Sequence, residues 1–226
     1  MSERKKLIII GMGETACLAY EYFTHDSEYE VVAFAVEGAY YTQPTFYDLP
    51  VCRLEEIQTH YPPNKFTAFV ALSSGRLNRD RTKLYLSLKE KGYQLASYVS
   101  SKAFVWHNVK IGENCFILEN NTLQPFVEVG NNVILWSGNH IGHRSKILDH
   151  CFITSHVVIS GFCTVGEYSF LGVNSAIADN TTLAKDNFIG MGAVINKNTD
   201  ENTIYTGNPA QPSKLSAKKF CKVKES

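Results

Sequence analysis

VWHNVK IGENCF ILENNT LQPFVE VGNNVI LWSGNH, residues 105–140, places an aliphatic side chain at the head of every block of six, and the pattern continues unbroken to residue 200. The sixteen heads run from Val105, Ile111 and Ile117 through Ile141 and Ile159 to Ile189 and Ile195. Four residues after each head comes a small or β-branched position, among them Cys115, Val127, Ser145, Cys151, Cys163 and Ala193. A period of six drifts against 3.6 residues per turn, which excludes a helix. A short strand followed by a corner accommodates it. Three such units close a triangular coil, and stacked coils make a parallel β-helix whose prism the aliphatic heads fill. Glycine directly follows the head at Gly112, Gly130, Gly142, Gly166, Gly172 and Gly190, where the backbone is freed from side-chain obstruction.

Three further motifs accompany the hexads: GNHIGH at 138–143, GMGA at 190–193 and GNPA at 207–210. With them the chain resembles the left-handed β-helix acyltransferases with hexapeptide repeats. Within these it is similar to the sugar acyltransferases that carry a small nucleotide-binding domain in front, the sialic-acid and bacillosamine acetyltransferase group. The resemblance spans nearly the whole chain. It implies an α/β, Rossmann-like N-terminal domain (residues 1–100), an all-β left-handed parallel β-helix (101–200) and a C-terminal tail (201–226).

Composition sets outer limits. The chain has 226 residues, with 22 Lys plus Arg against 22 Asp plus Glu, so no global field attracts nucleic acid or a membrane surface. Four apolar residues before Gly11 are too few for a signal-peptide core, and no run approaches a membrane span. A cytoplasmic protein is expected. Of six cysteines, Cys115, Cys151 and Cys163 occupy small inward positions of the repeat, and no two have zinc-ligand spacing. No metal is expected.

In the front domain, residues 7–10 form an apolar run that stops at GMGETA (11–16), followed by a helical apolar pattern through Phe23. This is the strand, glycine-rich turn and helix of a mononucleotide unit, in which backbone at Gly11 and Gly13 and the helix start at Glu14 and Thr15 approach phosphate. A second strand over 29–35 ends near Glu37, where an acid commonly hydrogen-bonds a ribose or base edge. Further strands are expected at Leu49–Arg53, 66–72 and 94–99, with a helix at 79–91. About one hundred residues make half a dinucleotide fold, so a nucleotide attached to a sugar fits better than NAD, and the resemblance implies the same. The tract from Ser73 through Arg76 to Arg81 either meets phosphate or caps the next helix. The aromatic loop at 38–48 either stacks on a base or packs on the barrel.

Histidines gather at His140, His143, His150 and His156. Eighteen residues above His143 stands Gly161, with no side chain to block approach, so an imidazole and a backbone N–H bracket a reacting carbonyl. The resemblance selects the same pair as base and oxyanion donor. In close relatives an acidic residue follows this histidine; here Arg144 does, and an adjacent cation disfavours imidazolium. Asp149 or a carboxylate of another chain is then the candidate partner. His156 either contacts the sugar or the acyl carrier or has a structural role, and His140 and His150 are expected at the surface or an interface. The resemblance also implies a homotrimer with coenzyme A between neighbouring β-helices, touching positions matching Phe152, Val173 and Met191, with Gly190 and Gly192 leaving room for pantetheine. Lysines 214, 218, 219, 222 and 224 either reach the coenzyme's phosphates or are solvated.

The expected activity is acetyl-CoA-dependent N-acetylation of a nucleotide-linked amino sugar, UDP-linked by preference, by direct attack. O-acetylation of a sugar hydroxyl and a non-catalytic nucleotide-sugar-binding trimer are the alternatives.

Overall fold

The computed structural model describes residues 4–224. Leu7, Ile8, Ile9 and Ile10 are wholly buried, as a strand covered on both faces requires. They lie in β1 (Lys5–Ile10), flanked by β2 and β5 in a five-stranded sheet ordered β3-β4-β2-β1-β5. The other strands are β2 (Tyr29–Val36), β3 (Thr45–Phe46), β4 (Leu49–Arg53) and β5 (Thr67–Val70). All pair in parallel except the β3–β4 hairpin. Helices α1 (Glu14–His25), the single turn α2 (Ile57–His60) and α3 (Arg79–Glu90) complete this unit. The aromatic loop packs on its own unit: Tyr47 stacks on Tyr20 at 4.4 Å, and Phe46 meets Phe34 edge-on at 5.0 Å.

Residues 94–99 do not form a fifth front strand. Leu95 makes one bridge to Ala68, after which β6 (Tyr98–Val99) pairs with Phe116–Ile117 of the repeat. The repeat sheets therefore begin before residue 101, and they also extend into the tail, where Thr203–Gly207 pairs with Phe188–Ile189. Burial decides it: Tyr98 is 1% exposed where the two units meet.

Each hexad is a two-residue strand, and strands eighteen residues apart pair in parallel, as Thr122↔His140↔Val158↔Ala176 do. The interior holds the heads from Ile117 to Ile195 with Cys115, Cys151 and Cys163. At the corners every sixth residue from Asn114 to Gly192 has positive φ, including Phe126, Arg144, His150, His156 and Phe162. A left-handed residue costs roughly 1–2 kcal/mol, and among residues with a side chain Asn is one of those that tolerate it best; Asn holds five of these fourteen corners. Most of these corner N–H groups donate to a backbone carbonyl of the preceding coil, as Asn132 does to Glu113 at 2.8 Å and Phe162 to His143 at 3.0 Å, and other N–H groups at the corners are met by side chains of adjacent coils. Asn108 Oδ1 accepts from Phe126 N–H at 2.9 Å, and Asp149 Oδ1 from Asn131 N–H at 2.7 Å.

Three faces result. The domain face, with Phe116, Ile134 and Phe152 pointing outward, is buried against the front unit. The charged face carries Lys110, Glu128 and Lys146 in ion pairs. The third, apolar face presents Phe104, Trp106 and Val158, exposed by 54%, 42% and 43%.

Two arginines of the tract, Arg79 and Arg81, dock these units. Arg81 is 0% exposed and, among the described residues, pairs with no carboxylate. Its guanidinium donates to Asn132 Oδ1 (3.1 Å), to the carbonyls of Ser73 (2.9 Å), Asn132 (3.1 Å) and Cys151 (3.2 Å), and to Asn78 Oδ1 (3.2 Å). Burial pushes it down to about 10, which leaves it protonated at neutral pH. Arg79 lies over the Tyr168 ring at 3.8 Å and pairs with Asp186 at 2.5 Å. Lys218 of the tail joins the same carboxylate at 3.4 Å.

His150, expected at the surface or an interface, is buried in this junction between the two units. Asn132 Oδ1 is taken by Arg81 and Asn114, so its Nδ2 must donate to His150 Nδ1 at 3.0 Å. The imidazole is thereby neutral. Burial, with Arg81 and Arg79 adding to it, pushes His150 down to about 4, against an opposing pull from Asp149. Since this group is depressed in the folded chain, unfolding takes up a proton between about pH 6.5 and pH 4. Stability is expected to fall as pH drops through that window, by up to about 1.4 kcal/mol per unit, and His150→Gln should flatten the slope. Equal slopes in urea titrations of both proteins would remove this account.

Candidate active site

Two corners bound the apolar face. At one, between the apolar and charged faces, stand His143, Arg144, Gly161 and Phe162. At the other, between the domain and apolar faces, stand Gly138, His156, Val173, Asn174, Met191 and Gly192.

At the first corner the expected stacking is present. A Cβ on Gly161 would lie 2.6 Å from His143 Cε1 and 3.1 Å from each ring nitrogen. The imidazole thus lies across the glycine backbone, and Phe162 meets it edge-on at 4.9 Å. His143 is solvent-exposed. Its backbone N–H donates to Gln124 Oε1 at 2.9 Å, and the same oxygen lies 3.3 Å from Nδ1. Gln124 escaped sequence analysis because it stands nineteen residues back, a neighbour only once the coil closes.

Two details differ from expectation. Gly161 N–H is not free: it donates to Asp179 Oδ1 at 2.8 Å, another corner N–H met from the next coil. A carbonyl oxygen reaches that amide only by displacing an exposed carboxylate. Asp149 is no partner for His143, since it belongs to the corner between the charged and domain faces and holds Asn131. Arg144 takes its guanidinium onto the Phe126 ring one coil below, at 4.4 Å.

At the second corner His156 is exposed and its ring lies across Gly138, whose Cβ would meet it at 2.6 Å. Val173 and Met191 are 40% and 80% exposed, and a Cβ on Gly192 would meet nothing within 4 Å. Gly190 has less room, with Thr206 Cγ2 at 3.1 Å from such an atom. Phe152 is not available to a carrier. It is 6% exposed on the domain face, stacked on Phe170 under the front unit.

The front sheet brings Gly11, Gly13, Glu14, Thr15, Glu37 and Ser73 to the C-terminal edge of its parallel strands. Gly13, in extended backbone, begins α1 without a side-chain cap, and a Cβ there would meet nothing within 4 Å. Gly11 has φ +126° and Ala71 O at 3.0 Å from such an atom, so its glycine is structural. Glu37 pairs with Lys83 at 2.8 Å, and Arg76 with Asp80. Ser73 lends its carbonyl to Arg81. Among the described residues, no three His, Cys, Asp or Glu side chains are grouped to hold a metal ion, and no helix is long and apolar enough to cross a membrane.

Residues 108–143 match the family model described as bacterial transferase hexapeptide, six repeats. The match lies inside the six-residue repeat that the chain carries. That repeat and the stacked parallel sheets fit the left-handed β-helix. Among curated relatives, the chain is 30% identical over 112 residues to the acyl-[acyl-carrier-protein]–UDP-N-acetylglucosamine O-acyltransferase of Sinorhizobium fredii, covering 46% of this chain and 42% of that one. The chain thus spans about two fifths of that relative's length. Among solved structures, it aligns with the acetyltransferase domain of PglB from Neisseria gonorrhoeae in complex with acetyl coenzyme A. There the TM-score is 0.83 and the identity 22%, over 93% of this chain and 100% of that one. PerB from Caulobacter crescentus, in complex with CoA and GDP-perosamine, gives 0.81 at 22% identity over 92% and 97%. At that identity the likeness establishes the fold.

Proposed function

We propose that this chain is an acetyl-CoA-dependent acyltransferase acting on the amino group of a nucleotide-linked sugar, UDP-linked by preference, in glycan biosynthesis. The observation that carries the reading is the His143 imidazole laid across side-chain-free Gly161 at an exposed corner. The sugar amine attacks the thioester carbonyl directly, and His143 accepts the proton the amine sheds. The carbon–sulfur bond breaks, and coenzyme A leaves as a thiol once protonated. Gly161 N–H supports the oxyanion when the thioester oxygen replaces Asp179.

The nucleotide lies on the Gly11–Thr15 turn of the front unit with Glu37, Ser73 and Arg76 around it, and the sugar runs toward His156. Coenzyme A lies along Val173, Gly190, Met191 and Gly192. On one chain these positions and His143 stand at opposite edges of the apolar face. A second copy must therefore complete each site, and a homotrimer closing on the apolar faces does so. A monomer by light scattering, fully active, would remove the shared site. The reaction is cytoplasmic, where nucleotide sugars and coenzyme A are both at hand.

Thiol release across a panel of UDP-, GDP- and dTDP-linked amino sugars and their hydroxyl counterparts tests the reading. Release with the amino sugars alone supports it. Release with the hydroxyl sugars alone favours O-acylation, the activity in the name of the Sinorhizobium relative. Tight nucleotide-sugar binding with no thiol from any of them leaves a binding module.

Gly13→Val separates the two substrates. Its Cβ meets open space and its backbone is unstrained, so the fold tolerates it while phosphate approach is obstructed. Nucleotide-sugar affinity should fall about 10–100-fold with acetyl-CoA affinity unchanged. Calorimetry showing equal losses for both ligands would mean that the turn is structural.

A further inference from the structure

We infer that Gln124 is the positioning residue of His143, and that it fixes the imidazole in the tautomer whose Nε2 is the proton acceptor. The inference rests on the acyltransferase reading for its catalytic meaning and on geometry for its chemistry.

A backbone N–H only donates, so the Gln124 atom 2.9 Å from His143 N must be the carbonyl oxygen and not the amide nitrogen. That same oxygen faces Nδ1 at 3.3 Å. A carbonyl oxygen only accepts, and it has two lone pairs. Nδ1 therefore carries the hydrogen, and in the neutral ring Nε2 carries the free lone pair. Among the described residues no group hydrogen-bonds Nε2. Phe162 on one side and the Gly161 backbone on another limit the ring's rotation. Gln124 thus supplies from one coil below the orientation that a carboxylate supplies to other catalytic histidines. An uncharged amide orients the ring through this hydrogen bond and places no carboxylate beside it.

The test reads the tautomer and the rate separately. In the wild-type protein, ring ¹⁵N NMR of His143 should show protonated Nδ1 and unprotonated Nε2 in the neutral ring. In Gln124→Leu the Nε2-protonated form should appear, and kcat should fall about 10–100-fold, the usual worth of a partner that orients a histidine, with both KM values little changed. Gln124→Glu restores an acceptor and adds a charge. It should recover kcat at high pH while moving the acidic limb of the pH–rate profile upward, because a carboxylate stabilises imidazolium. Wild-type His143 protonated on Nε2, or an unchanged tautomer in Gln124→Leu, would overturn the inference whatever the enzyme's activity. A correct tautomer in a protein that releases no thiol from any donor would leave the geometry standing and remove the acyltransferase reading instead.

Discussion

On the proposed reading, His143→Ala is expected to lower kcat roughly 10²–10⁴-fold, the range over which a positioned general base contributes. The fold should hardly notice, because the side chain is exposed and makes one edge-on ring contact, with Phe162. Thermal unfolding and nucleotide-sugar affinity are the controls, and both should stay near wild type while steady-state thiol release collapses. Equal falls in kcat and kcat/KM would place the lost interaction in the transition state. His156→Ala provides the contrast. That ring stands at the other corner, so its loss should raise KM for the sugar more than it lowers kcat. A near-wild-type rate in His143→Ala would mean that another group, or the substrate amine itself, handles the proton.

Arg81→Met carries the largest expected cost in stability. The guanidinium is the shared donor for the Ser73, Asn132 and Cys151 carbonyls and two side-chain amides, all inside the junction. Methionine fills the volume but donates nothing, leaving several buried acceptors dry at about 1–3 kcal/mol each. A loss of roughly 3–5 kcal/mol is expected in guanidinium unfolding. Because the bonds join the two units, the single transition should split, the front unit melting first. Arg81→Lys should not rescue it, since one ammonium cannot span acceptors that a planar fork reaches together. A single transition with a loss under about 1 kcal/mol would show that the apolar contacts of Phe116, Ile134 and Phe152 hold the units without it.

The same guanidinium illustrates where sequence reasoning stops. A tract after β5 with arginines at 76, 79 and 81 reads equally well as a phosphate clamp or a helix cap, because guanidinium suits either acceptor. Arg76, Leu77 and Asn78 take left-handed backbone in succession, which turns Asn78 and Arg81 inward onto the β-helix. Phe152 misled for a related reason. Its hexad position is outward, and outward residues are exposed unless another unit covers that face. His150 is the third case: a corner position that would be wet on the charged side is dry because α3 and Tyr168 enclose it.

The corners held a readable signal that went unused. Asn at 114, 120, 132, 174 and 180 and Asp at 186 share the six-residue period of the heads, and their left-handed backbone is what such residues tolerate. That series sets His143 beside a corner and makes Gln124 and Asp179, on neighbouring coils, candidates to meet N–H groups there.

The sequence by itself determined the β-helix, its eighteen-residue coil and the column that sets His143 under Gly161. Those follow from a local period, and local sterics and burial repeat with it whatever lies nearby. Only the tertiary structure decided which oxygen faces Nδ1 of His143, which carboxylate occupies the Gly161 amide, and which face the front unit covers. Each of these depends on groups distant in sequence meeting at hydrogen-bond range, and a shift of one ångström in coil closure or docking would exchange one partner for another.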